Sequence, residues 1–139
     1  MKYQTVTAAV AVMLTACNGA PPNEKILGDL CTELFSGDAR SEAMISGDAG
    51  TDVAEFCACY AAQTVSDPEA TDLHKDILNQ MTQIKTADSL NVEQTADRIE
   101  DSIESGAIDS FTEAQFEALG DEFQDLSRAI YDNGGSCPA

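Results

Sequence analysis

Tryptophan is absent from this 139-residue chain, and a single histidine, His74, is present. Basic residues are scarce: seven Lys and Arg face twenty-five Asp and Glu, for a formal charge of −18. A chain this acidic is repelled by phosphate backbones, which excludes nucleic acid as a partner. The same charge keeps it off an anionic lipid surface unless divalent cations or an anchor hold it there. Aromatics are few, so the core must come from aliphatic residues, alanine and phenylalanine. No phosphate-cradling glycine loop, no His-Glu-x-x-His pair and no nucleophile elbow occurs, which removes the recognisable routes to several enzyme classes. Only one hydrophobic run is conspicuous, and it lies at the N-terminus.

That run, Val6 to Leu14, follows Lys2 and ends in Leu14-Thr15-Ala16-Cys17. It is shorter than the ~20 residues a membrane-spanning helix needs. A charged start, a short apolar stretch and small residues before a cysteine make a signal-peptide pattern. The tetrapeptide resembles the lipobox of bacterial lipoprotein precursors. The resemblance covers Met1 to Cys17 and implies cleavage before Cys17, with lipid added to that cysteine. It divides the chain into a signal peptide at 1–16, a lipidated Cys17 with a short tether to residue 23, and a domain at 24–139. Loss of the leader with Lys2 takes the formal charge from −18 to −19. Asn18 follows the lipidated cysteine, where aspartate marks inner-membrane retention in enteric lipoproteins, so the expectation leans to the outer membrane. The Asn18–Asn23 tether holds one glycine and two prolines and reaches ~20 Å at most when extended. The domain is thus expected close to the periplasmic side of a membrane.

Four cysteines remain: Cys31, Cys57, Cys59 and Cys137. An even count in an exported chain reads as two disulfides. Cys31 and Cys57 fall on apolar helix faces. Cys59 lies two residues on, roughly 200° around the helix, so it does not easily bond Cys57. This favours Cys31–Cys57 and Cys59–Cys137, although spacing alone leaves three connectivities open. A redox Cys-x-Cys pair is disfavoured, because the acidic surroundings do not lower a thiol pKa.

The rest reads as all-α, a small bundle of about five short amphipathic helices. The first runs near Glu24–Ser36. One turn is expected around Ala43–Ile45, followed by a Gly-Asp-Ala-Gly loop. Asp52 with Glu55 forms a capping box for the second helix. Asp67-Pro68 opens the third, with the stripe Leu73, Ile77, Met81 and Ile84. Asn91 with Gln94 caps the fourth, which Gly106 ends. Ser110 with Glu113, or Thr112 with Gln115, opens the last, whose stripe is Phe116, Leu119, Phe123, Leu126 and Ile130. Asn133-Gly134-Gly135 stops it. The phenylalanine stripe is expected to be core, with Phe111 and Tyr131 as the exposed aromatics.

Candidate sites are sparse. His74 reads as a surface residue at the rim of its helix stripe. With the thiols in bridges, it and scattered carboxylates make a poor zinc set, so no metal and no cofactor are expected. Asp101 to Thr112 partly resembles a calcium loop of the EF-hand type, with Asp101 opening it and Gly106 at the turn. Ile103 and Thr112 occupy ligand positions, so a plain helix–Gly–helix turn is the expectation. Function therefore reads as a non-enzymatic envelope protein that binds a cationic envelope partner. The alternatives are a small periplasmic enzyme and an acidic binder of divalent cations.

Overall fold

A computed structural model describes residues 21–139; the leader, Cys17 and the tether to residue 20 lie outside the described residues. Six α-helices follow in order, with no strand among the described residues: α1 Pro22–Phe35, α2 Ala39–Met44, α3 Val53–Thr64, α4 Pro68–Asp88, α5 Val92–Glu104 and α6 Glu113–Asp132. A five-residue π-helical turn, Ile45–Ala49, continues α2. The five expected helices are all present. α2 and its π turn stand where one turn and a loop were expected, because Asp38 caps a full helix start there. The first helix also begins earlier than Glu24. Pro22 sits at its first position, where a missing N–H costs nothing, so the end of the expected tether is helical.

Capping residues set most of the helix starts. Asn91–Gln94 and Thr112–Gln115 form reciprocal capping boxes. Asp52 accepts from the Glu55 N–H, but the box is only half made, since the Glu55 carboxylate takes the Thr51 hydroxyl at 2.6 Å instead. Phe111 is buried, contrary to the sequence expectation. It precedes the Thr112 cap and stacks on Phe116 in the first turn of α6, the hydrophobic staple that fixes the chain's entry angle. Tyr131 is exposed as expected.

α1 packs across α3 and α4, α4 carries α5, and α6 closes over α3 and the π turn. Leu27, Leu34, Phe56, Ile77, Leu78, Ile99, Leu119 and Ile130 are fully enclosed. Each such side chain stabilises the fold by about 1.5–3 kcal/mol before entropy is counted. Phe35, Phe56, Tyr60 and Phe123 meet at one centre, with ring centroids 4.8 to 6.1 Å apart. The stripe of α6 is therefore core, with Phe123 only half-buried at its outer edge.

The disulfides join Cys31 to Cys57 and Cys59 to Cys137. The first lies between α1 and α3 with no exposed surface. The second ties α3 to the tail beyond α6. That tail is led back by Gly135, whose φ is +85°; a Cβ there would sit 2.7 Å from the Gly50 carbonyl oxygen. Only glycine allows so close an approach of two backbones.

α1 has no basic residue in its last turn. Lys85 of α4 supplies the charge from outside. Its Nζ donates to the carbonyl of Leu34 at 2.6 Å and to those of Glu33 and Ser36 at 3.3 Å each. One ammonium thus satisfies carbonyls that a helix end leaves unpaired and sits on the negative end of the dipole.

Candidate functional site

His74 is the largest departure from expectation. It is buried, with 4% of its surface exposed, and its ring lies parallel to Tyr60 at 5.9 Å. The buried face of α4 is Thr71, His74, Ile77, Leu78, Met81 and Thr82, rotated from the stripe read through Leu73 and Ile84. Threonine and histidine hide this face from a reading that counts only aliphatic residues. The threonine hydroxyls turn back to main-chain carbonyls, as Thr71 does to Asp67 at 2.7 Å, which makes their burial cheap.

The Tyr60 hydroxyl lies 2.8 Å from His74 Nδ1. As the donor, it leaves the ring proton on Nε2, which faces the Glu122 carboxylate of α6 at 3.6 Å. Burial lowers the His74 pKa from its ordinary 6.5, and the charges of Glu122 and Asp67 oppose that shift only in part. Burial also raises the Tyr60 pKa, reinforced by Glu122, so the phenol keeps its proton. Tyr60 and Glu122, with Asp67, border an open cleft of ≈ 450 Å³. Both rings are buried, and the contacts among Tyr60, His74 and Glu122 tie α3, α4 and α6 together.

The sign of the pH effect follows. Below its ordinary value of 6.5, unfolded His74 takes up a proton that the folded chain resists. Stability is full above that pH and is lost as pH falls through 6.5 toward the depressed folded value. Urea unfolding at pH 7.5 and pH 5.5 is expected to show this loss in the wild type. His74→Phe removes the titrating group, flattens the pH dependence and costs about 1–3 kcal/mol at pH 7.5, because the buried hydrogen bond between the Tyr60 hydroxyl and Nδ1 is lost.

The segment from Asp101 to Thr112 is closed by its own backbone. The Ser105 N–H donates to Asp101, and the Ile108 N–H to Ser102, both at 3.0 Å. Ile108 is buried beneath the turn, and Gly106 adopts φ +74°. The carboxylates of Asp101 and Asp109 face solvent. No group of three or more His, Cys, Asp or Glu suited to a metal occurs among the described residues.

The acidic surface has one further property. Every Lys and Arg among the described residues is already engaged. Lys25 pairs with Asp29, Arg40 with Glu93, Lys75 with Asp72, Arg98 with Asp88 and Arg128 with Asp125. Lys85 holds the end of α1. The remaining carboxylates project a field of one sign that the protein does not itself neutralise.

No described helix is long and apolar enough to cross a membrane. Comparison with protein-family models, with curated proteins and with solved structures finds no match to this chain.

Proposed function

We propose that the chain is a lipoprotein precursor, cut before Cys17 and anchored by lipid on that residue. The domain then faces the periplasm as a non-enzymatic binding protein, with Asn18 favouring the outer membrane. Its acidic surface engages a cationic protein of the envelope. One observation carries this reading: all four cysteines beyond Cys17 are paired, in two bridges. Disulfides persist in oxidising compartments and are rare in the bacterial cytosol, so the pairing supports the export that Leu14-Thr15-Ala16-Cys17 implies. The engaged cations and outward carboxylates support a positively charged partner over an anionic one.

Metabolic labelling with radioactive palmitate tests the anchor. The wild type is expected to take up label and to partition with membranes. Cys17→Ala is expected to take up none. Equal labelling of both, or a wild-type product that keeps Met1 and four free thiols, refutes the reading. A pulldown from solubilised envelopes is expected to recover a basic protein that moderate salt releases.

A further inference from the structure

A second groove lies between α6 and the α2–π segment, with a volume of ≈ 670 Å³. Met44, Ile45, Gly47, Gly120, Phe123 and Tyr131 line it. Three large hydrophobic side chains are conspicuously exposed among the described residues, and two of them border this groove: Met44 at 55% and Tyr131 at 62%. Scattered apolar residues need no explanation, but two converging on one concavity mark a binding surface.

The two glycines sharpen the point. Gly120 stands in the middle of α6, where glycine weakens a helix relative to alanine. Neither Gly120 nor Gly47 has a positive φ, and a Cβ at either would meet nothing within 4 Å. Backbone conformation and internal packing therefore give no reason for glycine on the two walls. What both do is keep the groove open.

Charge describes the occupant. Glu113, Glu117, Asp121 and Asp125 recur every four residues along α6, and all are exposed. Only Asp125 has a cationic neighbour, Arg128. Like charges at this spacing weaken their own helix. Helical geometry places Glu117 and Asp121 beside Gly120 and Gln124, along the rim of the groove. Asp48 lines the opposite wall, and Arg128 lines the groove from α6, its guanidinium paired with Asp125 at 3.1 Å. From Gly120 to Tyr131 the groove follows α6 for ~16 Å, about three helical turns.

We propose that this groove receives an amphipathic, cationic helix of a partner protein. Its apolar face lies against Phe123, Met44 and Tyr131, and its flanking Lys or Arg meets the carboxylates of the rim. The proposal rests on the reading that the acidic surface engages a cationic protein, and it names the place and form of that contact. A second copy of this chain is disfavoured, because the same negative rim would face itself.

The test uses the purified full chain and a fluorescein-labelled Leu/Lys peptide of four helical turns. A scrambled peptide of the same composition, which cannot segregate its faces, is the control. Anisotropy is expected to show micromolar binding of the amphipathic peptide and at least tenfold weaker binding of the scramble. Gly120→Leu, which fills the groove, is expected to weaken the first by tenfold or more. If that variant does not fold, Met44→Ser with Tyr131→Ser serves in its place. Gly120→Ala is expected to raise the melting temperature by about 3–5 °C while reducing affinity. Equal binding of both peptides, unaffected by the groove variants, overturns the groove and leaves the acidic-surface reading standing. Failure of both peptides at low salt overturns both. A wild-type dimer that Gly120→Leu dissociates, or tighter binding to phosphatidylcholine vesicles than to the peptide, assigns the groove to another occupant and overturns the proposal.

Discussion

Loss of the Cys59–Cys137 bridge is expected to remove about 4–5 kcal/mol of stability. The estimate follows from the 78 residues that the bridge spans, since cross-linking a longer loop removes more freedom from the unfolded chain. Cys31–Cys57 spans 26 residues and is expected to contribute about 3–4 kcal/mol by the same account. That figure is a lower bound for its removal, because both sulfurs are fully enclosed and truncation also leaves a cavity. Domains of this size hold roughly 5–15 kcal/mol in all, so either loss takes a large fraction. Urea unfolding of Cys59→Ser/Cys137→Ser and of Cys31→Ala/Cys57→Ala measures both values. A change below 1 kcal/mol in either double variant contradicts the expectation. Reductant is expected to lower the urea midpoint of the wild type but not of a variant lacking all four cysteines.

The second large effect lies at Asp38. One carboxylate serves two helix starts. Oδ1 accepts the N–H groups of Arg40 at 3.1 Å and Ser41 at 3.2 Å, at the head of α2. Oδ2 accepts the Val92 N–H at 2.6 Å, at the head of α5. The side chain thereby links segments 54 residues apart. Burial opposes its charge, yet the donors from Val92, Ser41 and Arg40, with the Lys85 ammonium, hold its pKa below the ordinary 3.8. A single cap contributes about 0.5–2 kcal/mol, so Asp38→Ala is expected to cost about 2–4 kcal/mol. Asp38→Asn keeps one acceptor oxygen and is expected to cost about half as much. Because the folded pKa is depressed, this contribution is full above the ordinary value of 3.8 and is lost as pH falls below it. Comparing wild type with Asp38→Asn at pH 6 and pH 3 checks the sign: the gap between them narrows in acid.

These two cases show what a sequence exposes and what it hides. The favoured cysteine pairing was legible in part: helix geometry sends Cys57 and Cys59 to opposite sides, and the apolar faces that carry Cys31 and Cys57 leaned toward the observed bridges without excluding the alternative. The box at Asn91 was legible because its partner is three residues away; at the last helix Ser110–Glu113 offered the same spacing, and the structure selects Thr112–Gln115. Asp38, in contrast, reaches Val92 across three intervening helices, and no local pattern announces such a contact. Lys85 on the end of α1 is hidden for the same reason. His74 was misplaced by a different route: its neighbours on the buried face are Thr71 and Thr82, which look polar until their hydroxyls turn inward. Of the candidate groove, the sequence displayed the phenylalanine stripe and the exposed Tyr131. The opposite wall comes from α2 and the π turn, where the chain read as a single turn followed by a loop.

The two sulfur bridges also favour an order of assembly. The 26-residue loop closed by Cys31–Cys57 costs less chain entropy to form than the 78-residue loop closed by Cys59–Cys137. Cys59 then waits as a thiol until the tail with residue 137 docks. Throughout that delay it sits two positions from an oxidised neighbour that exchange chemistry would otherwise let it attack. The turn of α3 aims it the other way, so the helix itself guards the first linkage until the second can close.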